Sequence, residues 1–178
     1  RMFNLPRSSW QDYDRKTLSD GAMIISRAEK SVTLTPEAMA AIGLDKQKAT
    51  PFEIMNAILK SQVDLLWFGG IGTYVRGSNE TDAEVGDRAN DAIRVAAEEV
   101  RARVIGEGAN LGVTQKGRIG FGLNGGRCNS DAIDNSAGVN SSDVEVNIKI
   151  ALASAMRDGR LTRPKRNTLL ASMTEEVG

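Results

Sequence analysis

The sequence predicts an α/β chain: short parallel strands with flanking helices, behind an irregular amino-terminal stretch. Two apolar runs and one helical pattern carry the prediction. Val63-Asp64-Leu65-Leu66-Trp67-Phe68 is a short apolar run closed by Gly69-Gly70, as expected of a strand buried in a parallel sheet. Arg103-Val104-Ile105-Gly106 is a second such run and leads into Glu107-Gly108-Ala109-Asn110. Further on, Val144, Ile148, Ala151, Leu152 and Ala155 recur at the spacing of one helix face. Strands alternating with helices pair in parallel, and such sheets collect ligands at the carboxyl ends of their strands.

Residues 1–50 are the least regular. Leu5-Pro6-Arg7-Ser8-Ser9-Trp10 reads as loop, with Trp10 and Tyr13 expected to anchor it on the core because aromatic rings bury large areas. Ser19-Asp20-Gly21 is a turn signal, and residues 31–34 alternate like a short strand. Thr35-Pro36-Glu37 starts a helix, Thr at the cap and Pro at the first position, and Gly43 stops it. Thr50-Pro51-Phe52-Glu53 repeats the start signal, with Ile54, Ile58 and Leu59 on the buried side. Residues 76–82 read as polar loop, and 87–100 as a helix with Ala89, Ile93, Ala96, Ala97 and Val100 on one side. Residues 114–123 form a short helix weakened by Gly117, Gly120 and Gly122, before a third short strand at 127–130.

Ser142-Asp143-Val144-Glu145 matches the capping box S-x-x-E. The last long helix should therefore start there, with Asp143 and Glu145 on the positive end of its dipole. That leaves 134–142 as a loop of small and polar residues. The helix ends after Arg157-Asp158-Gly159; Arg163-Pro164-Lys165-Arg166 is a basic turn, and 167–176 a last short helix.

Composition excludes several function classes. The 178 residues carry 23 basic and 23 acidic side chains, so no electrostatic footprint for nucleic acid or an anionic membrane is visible. With no histidine and one cysteine, Cys128, the chain has no His-based triad or general base, no Cys-rich metal site and no internal disulfide. No apolar run approaches membrane-spanning length, and cytoplasm is the default compartment. The chain opens Arg-Met-Phe, which suits a piece of something longer. No Ser, Cys or Thr nucleophile has a partnered base in view, so no catalytic residue and no metal ligand is assigned. A bound cofactor would carry the chemistry.

Three loops should converge at the strands' carboxyl ends: 69–73, 107–112 and 134–142. Gly69-Gly70-Ile71-Gly72 allows close backbone approach to a flat or phosphorylated ligand, or simply makes a tight turn. It lacks the G-x-G-x-x-G spacing of a dinucleotide fingerprint. Asn110 and Asn135 each offer a donor pair and an acceptor, as a carboxamide ligand needs. Ser142 could bind a substrate carboxylate or spend its hydroxyl on capping, and cannot do both fully.

The segments VDLLWFGGIGTYV, VIGEGANLGVTQKGRI and IDNSAGVNSSDVEVNIKI together resemble the large bacterial NAD-specific glutamate dehydrogenases and, more distantly, the wider amino-acid dehydrogenase superfamily. LPRSSWQDYD near the start extends the closer resemblance. Ser136-Ala137 stands where the superfamily pattern has Ala-Gly. The resemblance implies oxidative deamination of L-glutamate to 2-oxoglutarate and ammonia, with NAD as hydride acceptor. It implies that Gly69, Gly70, Ile71, Asn110 and Asn135 line the nicotinamide end of NAD, that Val139 packs on the substrate's carbon chain and that Ser142 binds its side-chain carboxylate. The phosphate-binding glycine loop and the lysine- and aspartate-bearing substrate domain are missing. The resemblance thus makes 51–157 the carboxyl-terminal half of a Rossmann-like NAD-binding domain, with 1–50 an irregular extension and 158–178 a helical one. Alone, such a piece should be inactive; the rest of a parent chain would complete it, and its open sheet edges favour a homo-oligomer. The competing expectation is a non-catalytic nucleotide- or anion-binding regulatory module.

Overall fold

The fold was analysed in a computed structural model that describes residues 8–177; the expected loop positions 5–7 and the Arg-Met-Phe opening lie outside them. Local polar chemistry sets the early elements. Strand β1 (Val32–Thr33) leads to helix α1 (Pro36–Ile42), where Thr35 Oγ1 accepts the Ala38 N–H at 3.2 Å. Gly43 closes α1 in the left-handed region at φ 65°, which a glycine adopts without a steric penalty. Strand β2 (Lys48–Ala49) pairs antiparallel with β1, and helix α2 (Pro51–Leu59) follows with a full capping box between Thr50 and Glu53. Val32, Leu34, Ala49 and Ile54 form a small core here. Trp10 and Tyr13 do not anchor the preceding segment: Trp10 is 75% exposed, and the two rings tilt against each other at 6.1 Å.

Strand β3 (Leu65–Phe68) is followed by β4 (Val75–Arg76), helix α3 (Asp82–Val85) and β5 (Val95–Ala96). Residues 87–100 are therefore not a helix; 3-10 turns at Arg88–Asn90 and Ala97–Glu99 flank β5. The reason is Arg94, whose buried guanidinium draws in Asp82, Asp91 and the Thr73 and Asp87 carbonyls, a set no regular helix could present. Ile93, Val95 and Ala97 are buried, only Val95 of them within β5.

Strand β6 (Val104–Glu107), helix α4 (Gln115–Leu123) and β7 (Arg127–Cys128) make a β-α-β unit. The main sheet is three-stranded, in the order β3-β6-β7 and parallel throughout. Phe68 lies opposite Glu107, so the chain leaves β3 and β6 at the same level. Phe68, Val75, Val95, Ile105, Val113 and Phe121 pack the larger core beneath it. Helix α5 (Asp131–Asp134) precedes α6 (Ser136–Arg157), and α7 (Arg163–Ser172) and α8 (Thr174–Val177) end the described chain. Arg163-Pro164-Lys165-Arg166 is thus the first turn of α7 rather than a free turn. No helix among the described residues is long and apolar enough to cross a membrane.

Candidate functional site

The carboxyl rim of the sheet is laced together by hydrogen bonds. The Tyr74 N–H, from the first loop, donates to the Gly112 carbonyl of the second at 2.8 Å. Tyr74 also stacks on Phe68, centroids 5.5 Å apart, and its hydroxyl donates to the Ile71 carbonyl at 2.8 Å. At the far end of the first loop, the Thr73 N–H donates to Asp87 Oδ2 at 2.9 Å and Arg94 Nε donates to the Thr73 carbonyl at 2.9 Å. The loop is held at its base, while Ile71 at its tip is 87% exposed.

Its glycines have different reasons to be glycine. Gly72 sits at φ 123°, and a β-carbon there would meet Asn90 Nδ2 at 2.7 Å and the Tyr74 hydroxyl at 2.8 Å. The turn demands it. Gly69 would make only ordinary contact with Trp67, and Gly70 would meet no protein atom within 4 Å. Neither glycine is required by fold or turn, and the space over Gly70 is open.

The second loop is held by buried charge. Glu107, at 0% exposure, accepts from Arg118 Nε at 3.0 Å and Nη2 at 2.8 Å through Oε1, and from the Val113 N–H at 3.3 Å through Oε2. Arg118 Nη2 reaches on to Asp131 Oδ1 at 3.0 Å. Asp131 Oδ2 in turn accepts the Leu111 N–H at 2.9 Å. Burial by itself would raise the Asp131 carboxyl; the Leu111 N–H and the Arg118 charge outweigh it and hold it below the usual range. Leu111 adopts φ 56°, the one left-handed non-glycine residue among those described, and this bond helps pin it. Asp134 Oδ2 accepts the Glu107 N–H at 3.0 Å, so α5 grips both ends of the segment that carries Asn110.

The third segment is not a loop. Helix α6 starts at Ser136, one residue after α5, with the Val139 N–H already donating to the Asn135 carbonyl at 2.8 Å. The Ser142–Glu145 capping box is therefore not used: Ser142 lies inside the helix, and Glu145 pairs with Lys149 at 2.5 Å. Asp143 and Glu145 lose their expected place on the dipole. The same shift frees the Ser142 hydroxyl, which makes no hydrogen bond among the described residues.

Of the residues singled out from sequence, Asn110 and Asn135 meet directly, Asn135 Nδ2 donating to Asn110 Oδ1 at 2.8 Å. Gly69, Gly70 and Ile71 leave β3 on the same rim, just past the Phe68–Glu107 pair. Val139 and Ser142 follow Asn135 at i+4 and i+7 along one side of α6, with Ser142 about 10 Å along the helix axis from Asn135. Glu107 was visible in the sequence only as part of the second loop. Arg118, Asp131 and Asp134 gave no signal, because their pairing joins positions far apart in the chain.

All of the chain, residues 1–178, matches the family described as bacterial NAD-glutamate dehydrogenase, catalytic domain. The chain belongs to this family. Among curated relatives, it is 54% identical over 178 residues to an NAD-specific glutamate dehydrogenase of Pseudomonas aeruginosa, and 52% identical over 177 residues to one of Halomonas elongata. It is also 52% identical over 183 residues to one of Mycobacterium tuberculosis. Essentially all of this chain is covered in each case, but it spans only 11% of each relative's length. In this member of the bacterial NAD-glutamate dehydrogenase family, the rim loops are held by Arg94, through Thr73, and by Arg118, through Glu107 and Asp131.

Proposed function

We propose that the chain is a piece of an NAD-dependent glutamate dehydrogenase and forms the nicotinamide side of its cofactor site. On this reading residues 51–157 are the carboxyl-terminal half of a Rossmann-like domain, 1–50 an amino-terminal extension and 158–178 a helical extension. The reaction is oxidative deamination of L-glutamate to 2-oxoglutarate and ammonia. The observation that carries the reading is the Asn135–Asn110 hydrogen bond, on the rim where the chain also leaves β3 through Gly69-Gly70 with open space over Gly70.

The groups on the rim fit a nicotinamide. A flat ring needs backbone without side chains, which Gly69 and Gly70 supply with no protein reason of their own. A carboxamide needs a donor and an acceptor. Asn135 engages Asn110 Oδ1, which leaves the Asn110 amide nitrogen to donate. Bound there, NAD would supply the hydride acceptor. The chain's own part is to orient: Asn110 and Asn135 fix the ring edge, Val139 offers apolar contact to the substrate chain, and the Ser142 hydroxyl donates to its side-chain carboxylate. Productive transfer asks for reacting atoms about 3–3.5 Å apart, so small errors in this rim are costly. Catalytic lysine and aspartate groups come from elsewhere in the parent chain. Alone, this chain turns over no glutamate and holds NAD weakly, and the parent chain and further copies complete it.

The test is a crossed pattern of Michaelis constants in the intact dehydrogenase. Asn110→Ala should raise KM for NAD about tenfold with little change for glutamate, and Ser142→Ala should do the reverse, each from loss of one hydrogen bond to a polar or charged ligand group. Equal effects on both substrates, or none, would overturn the assignment.

A further inference from the structure

Helix α6 carries a glycine, Gly138, in its first turn, although glycine is a poor helix former. Its backbone is ordinary, for its φ is not among the positive ones. What it lacks is room: a β-carbon at 138 would overlap Asn135 Oδ1 and press on Asn135 Cγ at 3.3 Å. The amide of Asn135 folds back over the helix into the notch that Gly138 leaves, and from there its Nδ2 reaches Asn110 Oδ1 at 2.8 Å. In α4 the glycines vary: Gly117 and Gly120 would meet neighbours at 3.1 Å and 3.2 Å, tighter than ordinary contact but without the overlap seen at Gly138, and Gly122 would meet nothing within 4 Å.

We infer that Gly138 is a positioning residue for cofactor binding, and that the missing side chain is what lets Asn135 hold Asn110. The inference rests on the assignment of Asn110 and Asn135 to the nicotinamide end. The atom that would be displaced is the free end of a side chain, so alanine at 138 keeps the helix and moves the amide. Alanine also favours the helix over glycine. The consequence falls on the Asn135–Asn110 pair. Asn110 Oδ1 then loses its donor, its amide is free to turn, and the ring edge is no longer met by a fixed donor.

The test uses the intact dehydrogenase and four variants: Gly138→Ala, Asn135→Ala, the double variant, and Gly122→Ala as a helical glycine with open surroundings. Both single rim variants should raise KM for NAD about tenfold, the size of one lost hydrogen bond to a preorganised site. The double variant should be no worse than Asn135→Ala, because Gly138 acts through that side chain. Gly122→Ala should leave KM for NAD unchanged, and thermal midpoints should not fall in any helical glycine variant. If Asn135→Ala raises KM and Gly138→Ala does not, or if their effects multiply, the role of Gly138 is overturned while the cofactor site stands. If Asn135→Ala leaves KM unchanged, both are overturned. Gly138→Ser repeats the test should the alanine variant express poorly, with the same expected rise and the same refuting result.

Discussion

Glu107 has no solvent-exposed surface, yet it carries a carboxylate in the middle of an apolar core. It stays there because Arg118, itself with 10% of its side chain exposed, delivers two N–H groups to one oxygen and the Val113 N–H takes the other. Removing one partner strands the other charge. Arg118→Met should lower the unfolding free energy by about 3–5 kcal/mol in urea titration. Adding Glu107→Gln should recover part of that loss, since the stranded charge disappears. Equal destabilisation by the single and double variants would mean that the pair matters only through packing. Ser142 stands at the opposite extreme. It is exposed and inside a helix, so Ser142→Ala should change stability by no more than about 0.5 kcal/mol, and any effect on glutamate KM must come from ligand contact.

Among the elements, caps separate helices such as α1 and α2, whose starts were readable in the sequence, from α6, whose start was not. Thr50 and Glu53 exchange both bonds of their capping box, and Thr50→Ala should cost about 1 kcal/mol, read as a shift in the denaturation midpoint at constant slope. An unchanged midpoint would contradict the cap. Ser142-x-x-Glu145 fits the same hydroxyl-x-x-Glu pattern and is not a cap, because nothing between Ser136 and Ser142 stops the helix from starting earlier. Local chemistry was therefore legible where the chain decides alone: Thr35-Pro36, Gly43, Thr50-Pro51, and the apolar runs of β3 and β6. It failed where distant groups decide. Arg94 reshapes 87–100 by reaching Thr73 and Asp82, and Trp10 and Tyr13 find each other instead of the core. Candidate residues on the rim were legible from motif order; what holds them, Arg118 with Asp131 and Asp134, was not, since such pairs leave no spacing to read.

The whole molecule depends on pH through its paired carboxylates. The Arg94 guanidinium holds Asp82 below its ordinary value, Asn90 and the Thr73 N–H do the same for Asp87, and Lys46 with Thr50 brings Glu53 down to about 2. Groups that are harder to protonate in the folded state stabilise it above their unfolded values, about 3.9 for Asp and 4.3 for Glu, and lose that contribution as pH falls through the folded values. Thermal midpoints should therefore be flat from about pH 7 to 5 and fall progressively below about pH 4.5. A midpoint that holds to about pH 3 would show that these pairs contribute nothing. Thr73 and Leu111, one in each rim loop, are tied to the carboxylates Asp87 and Asp131, so acid should loosen the site along with the fold.

We assign the open space over Gly70 to the nicotinamide. Gly70→Ala in the intact dehydrogenase is the sharpest test, because a β-carbon there would meet nothing beyond its chain neighbours within 4 Å. KM for NAD should rise by about tenfold or more, with the thermal midpoint and glutamate KM little altered. A variant that binds NAD as the parent does would contradict the assignment.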